Sequence, residues 1–237
     1  MTCACIVQAR LGSTRLPAKV LLPLPTGRTV LEEVLWRCRQ IEGVDVVVCA
    51  IPDTSDNDLL ETFIAKATEP AKVDKILAYY DEDGKFRKYI QPPLIVRGPE
   101  HDVLARYVKA AEAVKADIIM RITADCPLID PDVCGNILLG QRKTGVGYCS
   151  NVMPRTWPQG LDCEVFTLAA LKRQDNSTLT AEEREHVTLS MQRDPAVSRA
   201  NYASDKEDRS HLRWTLDTLS DYVTIWNVME QQMGEAA

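Results

Sequence analysis

Apolar and polar positions follow two periods along this chain, and the first pattern met is a solid apolar run. Cys3 to Ala9 is short, mostly apolar and bounded by Gly12, which predicts a buried strand. From Thr29 the period changes. Val30, Leu31, Val34, Leu35, Cys38 and Ile41 fall at helical spacing, with Thr29 as the cap. Asp45 to Ile51 is a second apolar run of Val, Cys, Ala and Ile, and reads as another buried strand. Asp53-Thr54-Ser55 breaks it, and Asp56 to Lys66 predicts a helix. Strand, helix, strand, helix at this spacing implies an α/β fold with a parallel sheet and right-handed crossovers.

Residues 69–93 are less regular. Val73 to Tyr80 reads as a helical turn or two, Asp81-Glu82-Asp83-Gly84 as an acidic turn, and Gln91-Pro92-Pro93 closes the segment. Leu94 to Arg97 predicts a short strand. Asp102 then caps a helix with Val103, Leu104, Tyr107, Val108, Ala111 and Val114 on one face. Asp117 to Ile122 is a further buried strand that ends in Thr123-Ala124-Asp125-Cys126-Pro127. Asp130 and Pro131 supply an N-cap and a first helical position. Gly145 to Ser150 reads as a strand. Leu161 to Phe166 alternates, which puts Asp162 and Glu164 on one face of a half-buried strand.

Thr167 to Asp175 and Thr180 to Arg193 predict two helices, the second opened by a capping box at Thr180 and Glu183 and carrying Glu185 and His186. Val197 to Ala203 predicts a strand. His211 to Leu216 alternates again and ends at Asp217. Thr218 to Asp221 caps a last helix with Leu219, Tyr222, Val223, Trp226 and Met229 on its face. No repeat, low-complexity stretch or linker interrupts the chain. The expected organisation is a single domain over 1–237 with an insertion or arm at 69–93.

Composition narrows the class. With 45% hydrophobic and 26% charged residues the chain has the make-up of a soluble globular protein. Its net charge of −6 argues against a nucleic-acid partner or an anionic membrane. No apolar run approaches the roughly 20 residues of a membrane span, and the start lacks a signal-peptide pattern, so a cytoplasmic protein is expected. The eight cysteines form no Cys-x-x-Cys pair and the three histidines are far apart. That disfavours zinc and suggests buried thiols.

Against this acidic background the loop after the first strand stands out. Arg10, Arg15 and Lys19 lie in it with Gly12, Ser13 and Thr14. A loop leaving a buried strand sits where open α/β sheets bind ligands. The cations would crowd each other unless an anion sat between them, which points to a phosphate-rich ligand; the alternative is a solvated basic loop. The spacing is not the Walker pattern. Asp125 lies just past a strand end and is either a Mg²⁺ ligand or a turn former before proline. Asp217 occupies the same kind of position. Asp162 and Glu164 form either a solvated sheet face or a site wall, and Asp81 and Asp83 either a metal pair or a solvated turn. Three cations facing two strand-end carboxylates suit a nucleoside triphosphate with Mg²⁺, and no nucleophilic triad or hydride-transfer signature competes.

Six ordered blocks carry a family resemblance. They are Gln8 to Lys19, Arg97 to Tyr107, Arg121 to Asp130, Gly160 to Phe166, Glu183 to Thr188 and His211 to Asp217. Together they resemble the cytidylyltransferases that make CMP-activated acid sugars, most closely the branch of spore-coat polysaccharide biosynthesis protein F. The resemblance implies a three-layer αβα, Rossmann-like nucleotidyltransferase fold with a mostly parallel sheet, related to that of many glycosyltransferases and usually dimeric. It implies that Arg10, Ser13, Arg15 and Lys19 hold the phosphates of CTP. Ala9, Leu11 and Gly12 would lie beside the nucleotide, as would Arg97, Asp102 and Arg106. Asp125 and Asp217 match the Mg²⁺ ligands. Asp162, Glu164, Glu185 and His186 match the motifs facing the acceptor; alternatively Arg155, Arg184 and Arg213 bind the acceptor's acid group. Arg10, Arg15, Lys19 and Asp125 are then the catalytic set.

Two departures are visible: the segment 69–93 is longer than its family counterpart, and Ala18 stands where the family often has glycine. The implied reaction moves CMP from CTP to an acidic small-molecule acceptor and releases pyrophosphate. A nucleotide-sugar glycosyltransferase and a non-catalytic nucleotide-binding regulator are the rivals.

Overall fold

The computed structural model describes residues 1–67, 93–176, 178–204 and 207–235. The expected arm at 69–93 falls outside them but for its last residue, as do the helical turns at 73–80 and the Asp81/Asp83 pair. Seven strands form one sheet among the described residues: β1 (Cys3–Gln8), β2 (Val46–Pro52), β3 (Leu94–Gly98), β4 (Ile118–Thr123), β5 (Tyr148–Ser150), β6 (Glu164–Thr167) and β7 (Arg199–Asn201). Their order is β3-β2-β1-β4-β6-β5-β7. All pairs are parallel except the two made by β6, which runs against both β4 and β5.

Among the described residues eight α-helices accompany the sheet: α1 (Val30–Cys38), α2 (Asp58–Ala67), α3 (Val103–Ala113), α4 (Pro131–Thr144), α5 (Leu168–Gln174), α6 (Ala181–His186), α7 (Leu189–Arg193) and α8 (Leu219–Glu235). The period-2 alternation of β1 sorts its side chains into two cores. Cys3, Cys5 and Val7 pack with α1, α2 and α4 on one face, through Leu31, Leu60 and Ile137. Ala4 and Ile6 pack with α3, α5 and α7 on the other, through Tyr107, Leu171 and Met191. The result is the expected αβα sandwich. A third cluster joins Leu216, Ile225 and Met229 to Leu24 and Val30, and so docks α8 beside the loop after β1. All eight cysteines are buried.

The local start signals hold. Thr29 and Glu32 close a reciprocal capping box on α1, and Asp130 caps α4 with Pro131 at its first turn. Asp102 caps α3 through the Ala105 amide.

Three expectations give way. The helix expected over 180–193 is two short helices, α6 and α7, because Val187 between them has φ 60°. The Thr188 N–H donates to the His186 carbonyl at 2.6 Å, a tight three-residue turn that no α-helix can pass through. The alternating stretch 211–216 is not a strand; it makes a single bridge, Gln159 to Arg213. Finally, β6 starts at Glu164, so Asp162 lies ahead of the strand and does not share a strand face with it.

Candidate functional site

A cleft of about 490 Å³ opens at the carboxyl ends of β1 and β4, within the ~300–1,000 Å³ usual for small-molecule sites. Its first wall is the loop after β1. That loop is shaped by its own backbone: the Ser13 and Ala18 amides both donate to the Leu11 carbonyl, at 2.8 and 3.1 Å. The Leu11 amide is tied to Asn57 Oδ1 at 3.1 Å. Ala18 closes the loop in the left-handed region, at φ 55°. This curl points Arg10, Arg15 and Lys19 at the cleft, with Ala9, Gly12 and Ser13 between them along the wall.

Lys19 is the hinge of the site. Its ammonium donates to Asp125 Oδ2 at 2.8 Å, Asp217 Oδ1 at 2.9 Å and the Leu216 carbonyl at 2.7 Å, so all three N–H groups are used. Burial alone would lower the Lys19 pKa, but the two carboxylates more than reverse this and raise it. Asp217 shows the mirror effect. Burial would raise it, yet Lys19, Arg15 and Arg213 bring it below the usual carboxylate range. Arg15 reaches Asp217 Oδ1 at 3.0 Å and Arg213 reaches Oδ2 at 2.5 Å.

The segment bearing Asp217 is held by backbone. The Leu216 amide donates to the Asp125 carbonyl at 2.8 Å, and the Trp214 amide to the Gln159 carbonyl at 2.6 Å. Gly160 makes this approach possible. It has φ 108°, and a Cβ there would sit 2.5 Å from the Trp214 carbonyl carbon.

The donor set suits a hard divalent cation. Asp125, just past the end of β4, Asp217, after the bridged stretch 211–216, and the Leu216 carbonyl converge on the Lys19 ammonium, and a small cation that keeps several waters needs only one or two carboxylates. No group of three or more His, Cys, Asp or Glu among the described residues is arranged to hold a metal ion. Asp125 and Asp217 could hold such an ion in place of the Lys19 ammonium that they share.

Arg106, on α3, is 2% exposed and lines the cleft, with Nε and Nη1 making no hydrogen bond among the described residues. Burial lowers its pKa, and the nearby Arg10 adds to that. Gly98 opposite leaves room for it: a Cβ there would lie 2.8 Å from Arg106 Cγ. A buried cation with unused donors is costly unless an acceptor arrives.

The remaining sequence candidates divide. Asp162, Glu185 and His186 line the cleft. Glu185 meets Arg10 at 3.3 Å, and Asp162 is gripped by Arg155 through both oxygens. Five others are not among the lining residues. Leu11 packs into the core beside the loop. Arg97 pairs with Asp58 and Glu61 beside α2 at 2.6 and 2.7 Å. Asp102 caps α3 and holds Arg184. Arg213 is taken up by Asp217 and Asp221. Glu164 is buried behind Arg121. In exchange, Gln8, Arg121, Thr123 and Thr215 join the cleft without having been singled out. Arg121 had a signal: a cation inside the apolar run Ile118 to Ile122.

Comparison with known proteins agrees with the fold and the family resemblance. Residues 4–69 match the family model described as Cytidylyltransferase. The spore coat polysaccharide biosynthesis protein SpsF of Bacillus subtilis is 33% identical over 97% of this chain and 87% of its own length. A cytidylyltransferase structure from Leptospira borgpetersenii superposes with a TM-score of 0.80 at 29% identity, covering 95% of this chain and 85% of that one. A CTP complex of CMP:2-keto-3-deoxy-manno-octonic acid synthetase shares the fold, with a TM-score of 0.67 at 16% identity over 98% of this chain and all of the other. No helix among the described residues is long and apolar enough to cross a membrane. The chain belongs to the cytidylyltransferase family of CTP-using nucleotidyltransferases, in the branch of SpsF.

Proposed function

We propose that this protein transfers the cytidylyl group of CTP to an acidic acceptor through a hydroxyl, phosphate or phosphonate oxygen, and releases pyrophosphate. The observation that supports this most directly is the meeting of Arg10, Arg15 and Lys19 with Asp125 and Asp217 at one end of one cleft.

The acceptor oxygen attacks the α-phosphorus in line, forming the new P–O bond as the bond to pyrophosphate breaks; a hydroxyl acceptor gives up its proton to water in the open cleft. Arg10 and Arg15 stabilise the charge that builds on the departing pyrophosphate, and Lys19, whose three N–H groups are held by Asp125, Asp217 and Leu216, adds to this as a point charge. Arg106 offers its unused buried donors to the nucleotide from the β1–β3 side, where α3 packs. Asp125 and Asp217 would hold Mg²⁺, which supplies neutralisation of the α-phosphate charge. Asp162, Glu185 and His186 wall the acceptor side of the cleft. The protein works in the cytoplasm as a homodimer in this reading; sedimentation at assay concentration checks the second point.

Pyrophosphate release from each nucleoside triphosphate with Mg²⁺ and a panel of acidic acceptors tests the reaction, and CTP is expected to be the donor used. Asp125→Ala is expected to lose about 10²–10³-fold or more in rate while keeping its circular dichroism spectrum. Turnover by this variant at the parent rate would remove the metal assignment. CTP binding without turnover on any acceptor would favour a regulator.

A further inference from the structure

The β4–β6 side of the cleft holds a buried ion pair that the phosphate chemistry does not use. Arg121 and Glu164 face each other directly across the antiparallel pair β4–β6. Arg121 Nη1 donates to Glu164 Oε2 at 2.6 Å. Glu164 Oε1 accepts from Tyr148 at 2.6 Å, Thr188 at 2.7 Å and Gln192 at 3.0 Å. Both carboxylate oxygens are thus committed, and Glu164 is not among the cleft-lining residues, whereas Arg121 is.

The guanidinium is only partly used. Nη1 is spent on Glu164. Nε is buried with no hydrogen-bond partner among the described residues. Nε and Nη2 share one edge of a guanidinium, and that edge carries the two parallel N–H groups that match a carboxylate. From these observations, and resting on the cytidylyl-transfer reading above, we infer that Arg121 is the residue that grips the acceptor's carboxylate. Glu164 is its positioning residue.

Charge selects the ligand class. Glu164 cancels the formal charge of Arg121, so a ligand is held by the paired N–H groups more than by net charge, and a monoanion is repelled by the Glu164 carboxylate less than a dianionic phosphate would be. The cations able to hold phosphates lie in the other wall, at Arg10, Arg15 and Lys19. Location agrees: Arg121 lies opposite Glu164 of β6, and Asp162, two residues ahead of Glu164, lines the same cleft with His186. The Tyr148, Thr188 and Gln192 contacts fix Glu164, so the guanidinium is held in one orientation before any ligand arrives.

The test assays pyrophosphate release from CTP against a panel of sugar acids, 3-deoxy-manno-octulosonate among them, and against the methyl ester of each. CTP affinity is measured separately by calorimetry. The parent is expected to prefer acid over ester by about 100-fold in kcat/KM. The double variant Arg121→Gln/Glu164→Gln removes both charges together. It is expected to bind CTP within about twofold of the parent and to lose the acid preference through a raised acid KM, with kcat changed less. If the double variant does not fold, Arg121→Lys is read instead. It keeps the pairing with Glu164, and an acid KM raised about tenfold supports the inference.

An acid KM and an acid-over-ester preference both unchanged from the parent in the variant that is read overturn it. So does equal use of acid and ester by the parent, or parent turnover of non-acid acceptors only. If the parent binds CTP but turns over no acceptor at all, the cytidylyl-transfer reading itself fails, and this inference with it.

Discussion

At the scale of single residues, two non-glycine positions adopt left-handed backbone beside the cleft. Ala18 (φ 55°, ψ 24°) closes the phosphate-side loop, and its methyl group costs about 1–2 kcal/mol there. Glycine would relieve that cost but give back about 0.4–1 kcal/mol through the freer unfolded chain. Ala18→Gly is therefore expected to stabilise the fold by about 0.5–1 kcal/mol, read as a higher urea midpoint with an unchanged slope. A lower midpoint would show that Ala18 is not strained. Val187 (φ 60°, ψ −52°) is buried and ends α6, turning His186 to the cleft wall while Thr188 reaches Glu164. Nothing in the sequence around Val187 announces that turn: a β-branched residue avoids positive φ, and the capping box at Thr180 argues for a longer helix. Lys19 was legible as a cation near phosphates. Its three oxygen partners were not, since they come from other parts of the chain.

At the scale of elements, helix starts were the most legible feature, because a cap is a local transaction between a side chain and amides two or three residues on. Thr29, Asp102, Asp130 and Thr180 all act as read. The stretch 211–216 misled for the opposite reason. Its alternation is real, yet its partner is one point of the Gln159–Gly160 loop and not a neighbouring strand. Gly160 decides this, since only a residue without Cβ lets the Trp214 backbone approach. Gly160→Ala is expected to cost about 2 kcal/mol or more in stability. It should also raise the Mg²⁺ concentration needed for half-maximal pyrophosphate release, because the segment carrying Asp217 is pushed off. A denaturant midpoint and a Mg²⁺ titration read the two effects. An unchanged midpoint would mean that the approach is not a tight one.

At the scale of the whole molecule, the buried Glu164 links the fold to pH. Burial would raise its pKa, but Arg121, Tyr148 and Thr188 outweigh burial and lower it. A carboxylate whose folded pKa is depressed adds stability above its unfolded value of ~4.3, and that stability is lost as pH falls through the lower folded value. Glu164→Gln is expected to be about 3–5 kcal/mol less stable at pH 7, since it leaves Arg121 without its counter-charge. It should also lose less stability than the parent on acidification below about pH 5. Urea midpoints at pH 7 and pH 4 compare the two; parallel losses would assign the acid sensitivity elsewhere. The sequence by itself determined the buried strands, the capped helices, and hence a mostly parallel α/β sheet with a cationic loop at a strand's carboxyl end. Periodicity and capping are short-range, so they survive in a linear reading. Only the tertiary structure decided that β6 runs antiparallel between β4 and β5 and sets Glu164 against Arg121. It alone joined Lys19 to Asp125 and Asp217, 106 and 198 residues away. Those meetings depend on the path of the chain through the fold, which no local pattern encodes.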